Sequence, residues 1–203
     1  MDLKYKIEKY AECMEEVKKR VVVIESLLNK TVNTPYLITN VEFACIQVRK
    51  ILELVALSGL IANKVEFQKV KMNLENLWNA KDIIKTLETI NPKFYPEPII
   101  LQSLNGDPNN TRTQPVKSGY LMREEFLDIY ARCGGLLHAQ NPFSKKKEFT
   151  QTYEVIPRWL EKIKKLLNQH VVNLVDESHM VMVIMNFGYD AKVSIGGYGQ
   201  ASS

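Results

Sequence analysis

Residues 39–63, TNVEFACIQVRKILELVALSGLIAN, are apolar nearly all the way round a helical wheel. Val41, Phe43, Ala44, Ile46, Val48, Ile51, Leu52, Leu54, Val55, Leu57, Leu60 and Ile61 leave little polar surface on it. A helix of that kind is stable in water only when other elements surround it, so it belongs at the centre of a bundle. The fold expected is mainly α, a helical bundle of five to six helices with a small C-terminal β-hairpin or meander. The polar residues on this central helix are informative for the same reason. Glu42, Arg49 and Glu53 fall seven and four apart, on one face. Two readings are open. Arg49 and Glu53 form an ion pair, as buried charges usually do, or the stripe is one wall of a polar cleft.

Outward from that helix, the first segment places Leu3, Ile7, Tyr10, Met14, Val17, Val21, Ile24 and Leu28 at alternating steps of four and three. This predicts an amphipathic helix about 40 Å long at 1.5 Å per residue. Such a rod needs partners along it, in its own bundle or across a dimer. Residues 64–90 predict a third helix packed through Val65, Val70, Leu74, Leu77 and Trp78, and a short fourth through Ile83, Ile84, Leu87 and Ile90. Asn79 or Asp82 stands near the start of the fourth, and Asn91-Pro92 stops it. Residues 91–119 read as a long loop, with prolines at 92, 96, 98, 108 and 115 and turn signals at Asn105-Gly106 and Asp107-Pro108. Within it Ile99–Leu104 is a short strand candidate. Helical pattern returns over Met122–Gln140 and again over Phe149–His170, where Pro157 predicts a bend or a late start. Strand candidates follow at Val171–Val175, His179–Met185 and Ala191–Ile195. The expected organisation is a bundle over 1–170, a β appendage over 171–198 and a flexible tail over 199–203.

With 203 residues, 45% of them hydrophobic and 25% charged, the chain can bury a real core. A formal charge of +4 permits a polyanionic partner without demanding one. No stretch has the length of a membrane span, and the first residues, MDLKYKIEKY, lack the apolar core of a signal peptide. A cytoplasmic protein with no membrane association is expected. Cys13, Cys45 and Cys133 are too scattered for a paired metal-ligand pattern and read as reduced thiols. No phosphate-binding glycine loop, dinucleotide fingerprint or zinc motif is present. Neither a metal nor a cofactor is expected.

The chemistry concentrates in residues 130–143, YARCGGLLHAQNPF. Arg132 and His138 flank Gly134-Gly135. In an unbroken helix, six residues at about 100° each leave the two side chains roughly 120° from a shared face. A kink at the glycine pair would bring them together. The competing reading makes Arg132 a surface ion-pair partner, His138 a hydrogen-bonded helix residue and the glycines a device for close packing. In the cleft reading, Glu42, Arg49 and Glu53 form the wall facing Arg132 and His138. Lys145, Lys146 and Lys147 follow within a few residues, either as a solvated patch or as a place to hold phosphate.

An all-helical bundle with Arg, five intervening residues and His on a late helix resembles the HEPN superfamily, whose hallmark is Arg, four to six residues, then His. Residues 78–98, WNAKDIIKTLETINPKFYPEP, followed by YARCGGLLHAQNPF, are also similar to an uncharacterised group of bacterial proteins of the same length. The resemblance covers roughly residues 36–170. Cys133 stands where many catalytic HEPN members have a polar residue after the Arg. The resemblance implies a metal-independent endoribonuclease acting as a homodimer, in a toxin or phage-defence setting. It makes His138 the acid or base as a ribose 2′-hydroxyl attacks the adjacent phosphate, a role suited to a group that ordinarily titrates near 6.5. Arg132 would hold the charge of the phosphorane. Asn141, three residues after His138, would orient the imidazole or the phosphate, or else cap the helix end. Tyr130 and Lys145 to Lys147 are the candidate RNA contacts. The alternative is a non-catalytic helical module that binds a protein partner or a nucleotide.

Overall fold

In the computed structural model the described residues are 3–70, 77, 79–104, 107–173, 180–188 and 190–198. Leu74, Trp78, the Asn105-Gly106 turn, Val175, His179 and the tail 199–203, which were assigned places above, lie outside them. Six helices among the described residues form a mainly α bundle: α1 (Leu3–Leu28), α2 (Leu37–Ala62), α3 (Lys64–Val70), α4 (Ala80–Ile90), α5 (Arg123–Leu136) and α6 (Phe149–Leu167). The helix α2 is the hub, in contact with α1, α4, α5 and α6. That is the place its apolar circumference demands, and Val41, Ala44, Val48, Ile51 and Leu52 on it are fully buried. Each such aliphatic side chain removed from water contributes about 1.5–3 kcal/mol before chain entropy is charged against it.

Of the four-and-three stripe of α1, Tyr10, Met14, Val17, Val21 and Ile24 are buried, Leu27 is buried in place of Leu28, and Leu3 is exposed; the helix is covered chiefly by α2. In α3 the core residue is Phe67, while Val65 and Val70, expected inside, are exposed. Seven residues make too short a helix for periodicity to fix its inner face. Asn79 caps α4 by accepting the Lys81 N–H at 3.0 Å. At its other end the Asn91 amide donates to Asn63 Oδ1 at 2.8 Å, tying the end of α4 to the end of α2. A Cβ at Gly59 would meet Leu87 Cδ1 at 3.1 Å, so the bare glycine lets these two helices approach closely.

The expected loop at 91–119 is a correction. Its central part is an antiparallel hairpin, β1 (Glu97–Leu104) and β2 (Asp107–Pro115), with Ile100 opposite Gln114 and Gln102 opposite Arg112. Through Glu97–Val171 and Pro98–His170 this hairpin joins β3 (Gln169–Asn173), which pairs in turn with β4 (Met180–Ile184) and β5 (Ser194–Tyr198). The result is one five-stranded antiparallel sheet of order β2-β1-β3-β4-β5, so the β appendage draws on two separated parts of the chain. The strand expected at Ile99–Leu104 lies within β1, whereas β2, DPNNTRTQP, has no apolar alternation to mark it, and Pro98 and Pro115 sit near strand ends, where proline is tolerated.

The α6 helix runs unbroken through Pro157 and stops at Leu167, earlier than expected. His170 therefore lies in β3, fully buried. Its Nδ1 is 2.8 Å from the Leu167 carbonyl and its Nε2 is 2.8 Å from the Tyr10 hydroxyl. A carbonyl can only accept, so Nδ1 carries the proton and Tyr10 donates to Nε2. Burial lowers the His170 pKa to about 4 and raises that of Tyr10. This hydrogen bond pins α1 to the sheet.

Candidate functional site

The α5 helix starts where the Glu125 carboxylate accepts the Met122 N–H at 3.4 Å and ion-pairs with Lys162 of α6. Its buried face is Phe126, Ile129, Tyr130, Cys133 and Leu136. Helical hydrogen bonding continues through Gly134 and Gly135, and the Leu137 N–H closes the last turn on the Gly134 carbonyl at 3.3 Å. The helix is not broken at the glycine pair. Gly134 serves another purpose, since a Cβ there would lie 2.7 Å from Arg49 Nη1, whereas one at Gly135 would meet open space. The first glycine admits the Arg49 head between α2 and α5.

Arg49 is fully engaged at that position. Its Cζ lies 3.8 Å from the centre of the Tyr130 ring, and its Nε is 3.2 Å from Glu53 Oε1. The Tyr130 hydroxyl donates to the same Glu53 oxygen at 3.0 Å and accepts from Arg49 Nη2. Burial, with the Glu53 carboxylate beside it, pushes the Tyr130 phenol up to about 12. Of the two readings of the α2 stripe, the ion pair is the arrangement found, completed by a tyrosine. Tyr130, a candidate RNA contact in the sequence, is 5% exposed, with its hydroxyl held between Arg49 and Glu53. Glu42, one turn before Cys45, is half-buried. The Cys45 and Cys133 thiols meet across the α2–α5 contact. Hydrogen bonding to Cys133 lowers the Cys45 pKa, against burial and with help from the Arg132 guanidinium, and the Cys133 pKa is raised. All three cysteines are free, as expected.

Arg132 points the other way, toward α6. Its Nε and Nη2 donate to Thr152 Oγ1 at 3.2 and 3.0 Å, and its Cζ lies 5.6 Å from the centre of the Trp159 ring. Thr152 is buried, and its hydroxyl spends its proton on the Glu148 carbonyl at 2.7 Å, which turns its lone pairs to Arg132. Glu148 Oε2 stands 3.9 Å from Arg132 Nη2, and the arginine side chain keeps 39% of its surface in solvent. The guanidinium is thus held in place yet open on one side.

His138 lies beyond the end of α5 and is exposed. No hydrogen bond or ion pair joins it to Arg132 among the described residues. The connection that carries it, residues 137–148, has a defined internal structure. Lys147 Nζ caps α5 by donating to the Leu136 carbonyl at 3.3 Å and to the His138 carbonyl. Gln140 Nε2 donates to the Asn141 carbonyl and to Ser144 Oγ, each at 2.8 Å, and its Oε1 accepts the Lys147 N–H at 3.2 Å. Asn141 Oδ1 accepts the Phe143 N–H at 3.0 Å, so Asn141 shapes the turn rather than sharing a helical face with His138. Lys145 and Lys146 remain exposed, while Lys147 is committed to the α5 end. The residue that the sequence reading passed over is Phe143, 98% exposed at the tip of this connection. An aromatic residue directly after Asn-Pro, in an otherwise polar turn, was the available signal.

A positioned guanidinium and exposed ammonium groups are each able to bind phosphate, and an imidazole is able to move a proton; no hydrogen bond or ion pair among the described residues joins His138 to Arg132. No cluster of three or more metal-binding side chains occurs among the described residues. No helix among them is long and apolar enough to cross a membrane. No protein-family model matches the chain, and comparisons with curated proteins and with solved structures find no significant relative.

Proposed function

We propose that the protein binds RNA on the face made by the end of α5, the 137–148 connection and the first turns of α6, and cleaves it there without metal. The reading is a HEPN-type endoribonuclease, cytoplasmic and dimeric, of the kind used in toxin or phage-defence systems. His138 takes the proton of a ribose 2′-hydroxyl as that oxygen attacks phosphorus. The P–O bond to the 5′-oxygen of the next nucleotide breaks and that oxygen takes a proton from water, giving a 2′,3′-cyclic phosphate and a 5′-hydroxyl end. Arg132 neutralises the charge that builds on the phosphoryl oxygens. The observation that carries this reading is the anchoring of Arg132: Thr152 occupies Nε and Nη2 and Trp159 backs the head, so Nη1 is left for an anion. Two copies of the face across a two-fold axis would double the local positive charge.

The test is cleavage of a mixed-sequence RNA in excess chelator by the wild-type, His138→Ala and Arg132→Ala proteins. A loss on the order of 100-fold or more in each variant, with unchanged melting, is expected. Intact RNA with the wild-type protein, with and without divalent metal, removes the enzyme reading. A second reading, a non-catalytic RNA- or protein-binding module, is favoured by one observation. Glu148 lies within ion-pair range of Arg132 while His138 makes no contact with it. That reading predicts binding without turnover.

A further inference from the structure

We propose that Phe143 is a base-stacking platform, and that it makes the face selective for unpaired over paired nucleotides. The inference rests on the RNA reading above and adds to it a residue and a substrate class. Three observations carry it. Phe143 is 98% exposed, the most exposed of the large apolar side chains described. Its exposure is built rather than incidental: Asn141 holds its backbone N–H at 3.0 Å, and the Gln140 side chain ties the turn on both sides of it. Its neighbours supply a matching charge, with Lys145 and Lys146 exposed two and three residues on and His138 exposed five residues before.

An aromatic face beside ammonium groups is the combination that binds a nucleobase and its phosphate together, whatever the base. A base inside a duplex is already stacked above and below, so the ring can be used only by a base free of its helix. Charge argues for a polyanion over a neutral protein groove, because the only acidic side chain in residues 137–148 is Glu148, drawn toward Arg132.

The experiment is fluorescence anisotropy with single-stranded and duplex RNA of the same length. The proteins carry His138→Ala to prevent turnover, combined with native Phe143, Phe143→Ala, Phe143→Leu or Phe143→Trp. The expected result is roughly 5- to 100-fold weaker single-strand binding for the Ala and Leu variants. Trp should bind like Phe, and duplex binding should be weaker throughout and unaffected by residue 143. Equal single-strand binding by Phe143 and Ala overturns the proposal. So does a Leu variant that binds like Phe, which would indicate an apolar contact with protein or membrane instead. Because the ring touches no core residue, melting should be unchanged in all four proteins. The two readings separate cleanly. Phe143-dependent binding without cleavage by the wild-type protein keeps this inference and removes the nuclease. Cleavage that is indifferent to Phe143→Ala does the reverse.

Discussion

Replacing each glycine of the 134–135 pair by alanine tests what that pair is for. Both residues lie in the last turn of α5 with helical hydrogen bonding. On backbone grounds alone either substitution should stabilise by about 0.5–1 kcal/mol. At Gly135 nothing opposes that gain, since the new methyl meets open space. At Gly134 the methyl would stand 2.7 Å from Arg49 Nη1, well inside the 3.4 Å where ordinary contact begins. The guanidinium must retreat, and it is stacked 3.8 Å from the Tyr130 ring centre and paired with Glu53 at 3.2 Å. With less than a quarter of either charged side chain exposed, disturbing the trio costs about 1–3 kcal/mol. Gly134→Ala should therefore be net destabilising, and the two variants should differ by about 2 kcal/mol. For a chain of this size that is about 4–8 °C in melting temperature. Thermal and urea melts of both variants, repeated in an Arg49→Ala background, form a double-mutant cycle. With Arg49 truncated, the gap should close to a few tenths of a kcal/mol. Equal melting of the two variants in the native background, or a gap that survives Arg49→Ala, would refute the contact.

His170 keeps its folded pKa near 4 while an unfolded histidine titrates near 6.5, so the unfolded chain binds the extra proton between those values. Stability linked to this residue is complete above about pH 6.5 and is lost as pH falls toward 4, by up to about 3 kcal/mol. The unfolding free energy from urea melts should fall, between pH 7 and pH 5, by about 2 kcal/mol more in the wild-type protein than in His170→Gln, and identical drops would count against the buried neutral imidazole. Lys147→Met should cost about 0.5–1.5 kcal/mol by freeing the α5 carbonyls, whereas Lys145→Ala and Lys146→Ala should leave melting unchanged and flatten the salt dependence of RNA binding. Thr152→Val should lower cleavage roughly tenfold by releasing the Arg132 head, and Thr152→Ser should restore it. A Val variant with native turnover would show that Arg132 needs no such positioning.

Where a segment has one dry face and one wet face, the chain announced it. The four-and-three stripe of α1 named five of its six buried residues, missing Leu27, and the near-complete apolar surface of α2 forecast its central position. Asn79 and Asn91 marked both ends of α4 because capping chemistry is local. The first strand of the β1–β2 hairpin was legible over Ile99–Leu104, whereas β2 was not, because Thr111, Arg112 and Gln114 project into solvent and give it no apolar pattern. At the site, Tyr130 stands one residue after Ile129 and four after Phe126, the spacing of one helix face, and it is buried with both. Its assignment to RNA rested only on its nearness to Arg132. The partner of Gly134 could not be read at all, since Arg49 lies 85 residues away in the chain. His138 was placed on a helix whose pattern continues beyond Leu136, but the Lys147 cap ends it sooner, a contact invisible to local propensity.

The central functional claim is that a ribose 2′-hydroxyl attacks its own phosphate with His138 as its base. The direct measurement uses an RNA oligonucleotide cleaved at one mapped position, compared with the same oligonucleotide carrying a single 2′-deoxy residue there, in chelator. Attack by the 2′-oxygen predicts cyclic-phosphate and 5′-hydroxyl ends from the first and no cut at that bond in the second. Continued cleavage at the deoxy position, or products ending in a 5′-phosphate, would contradict it.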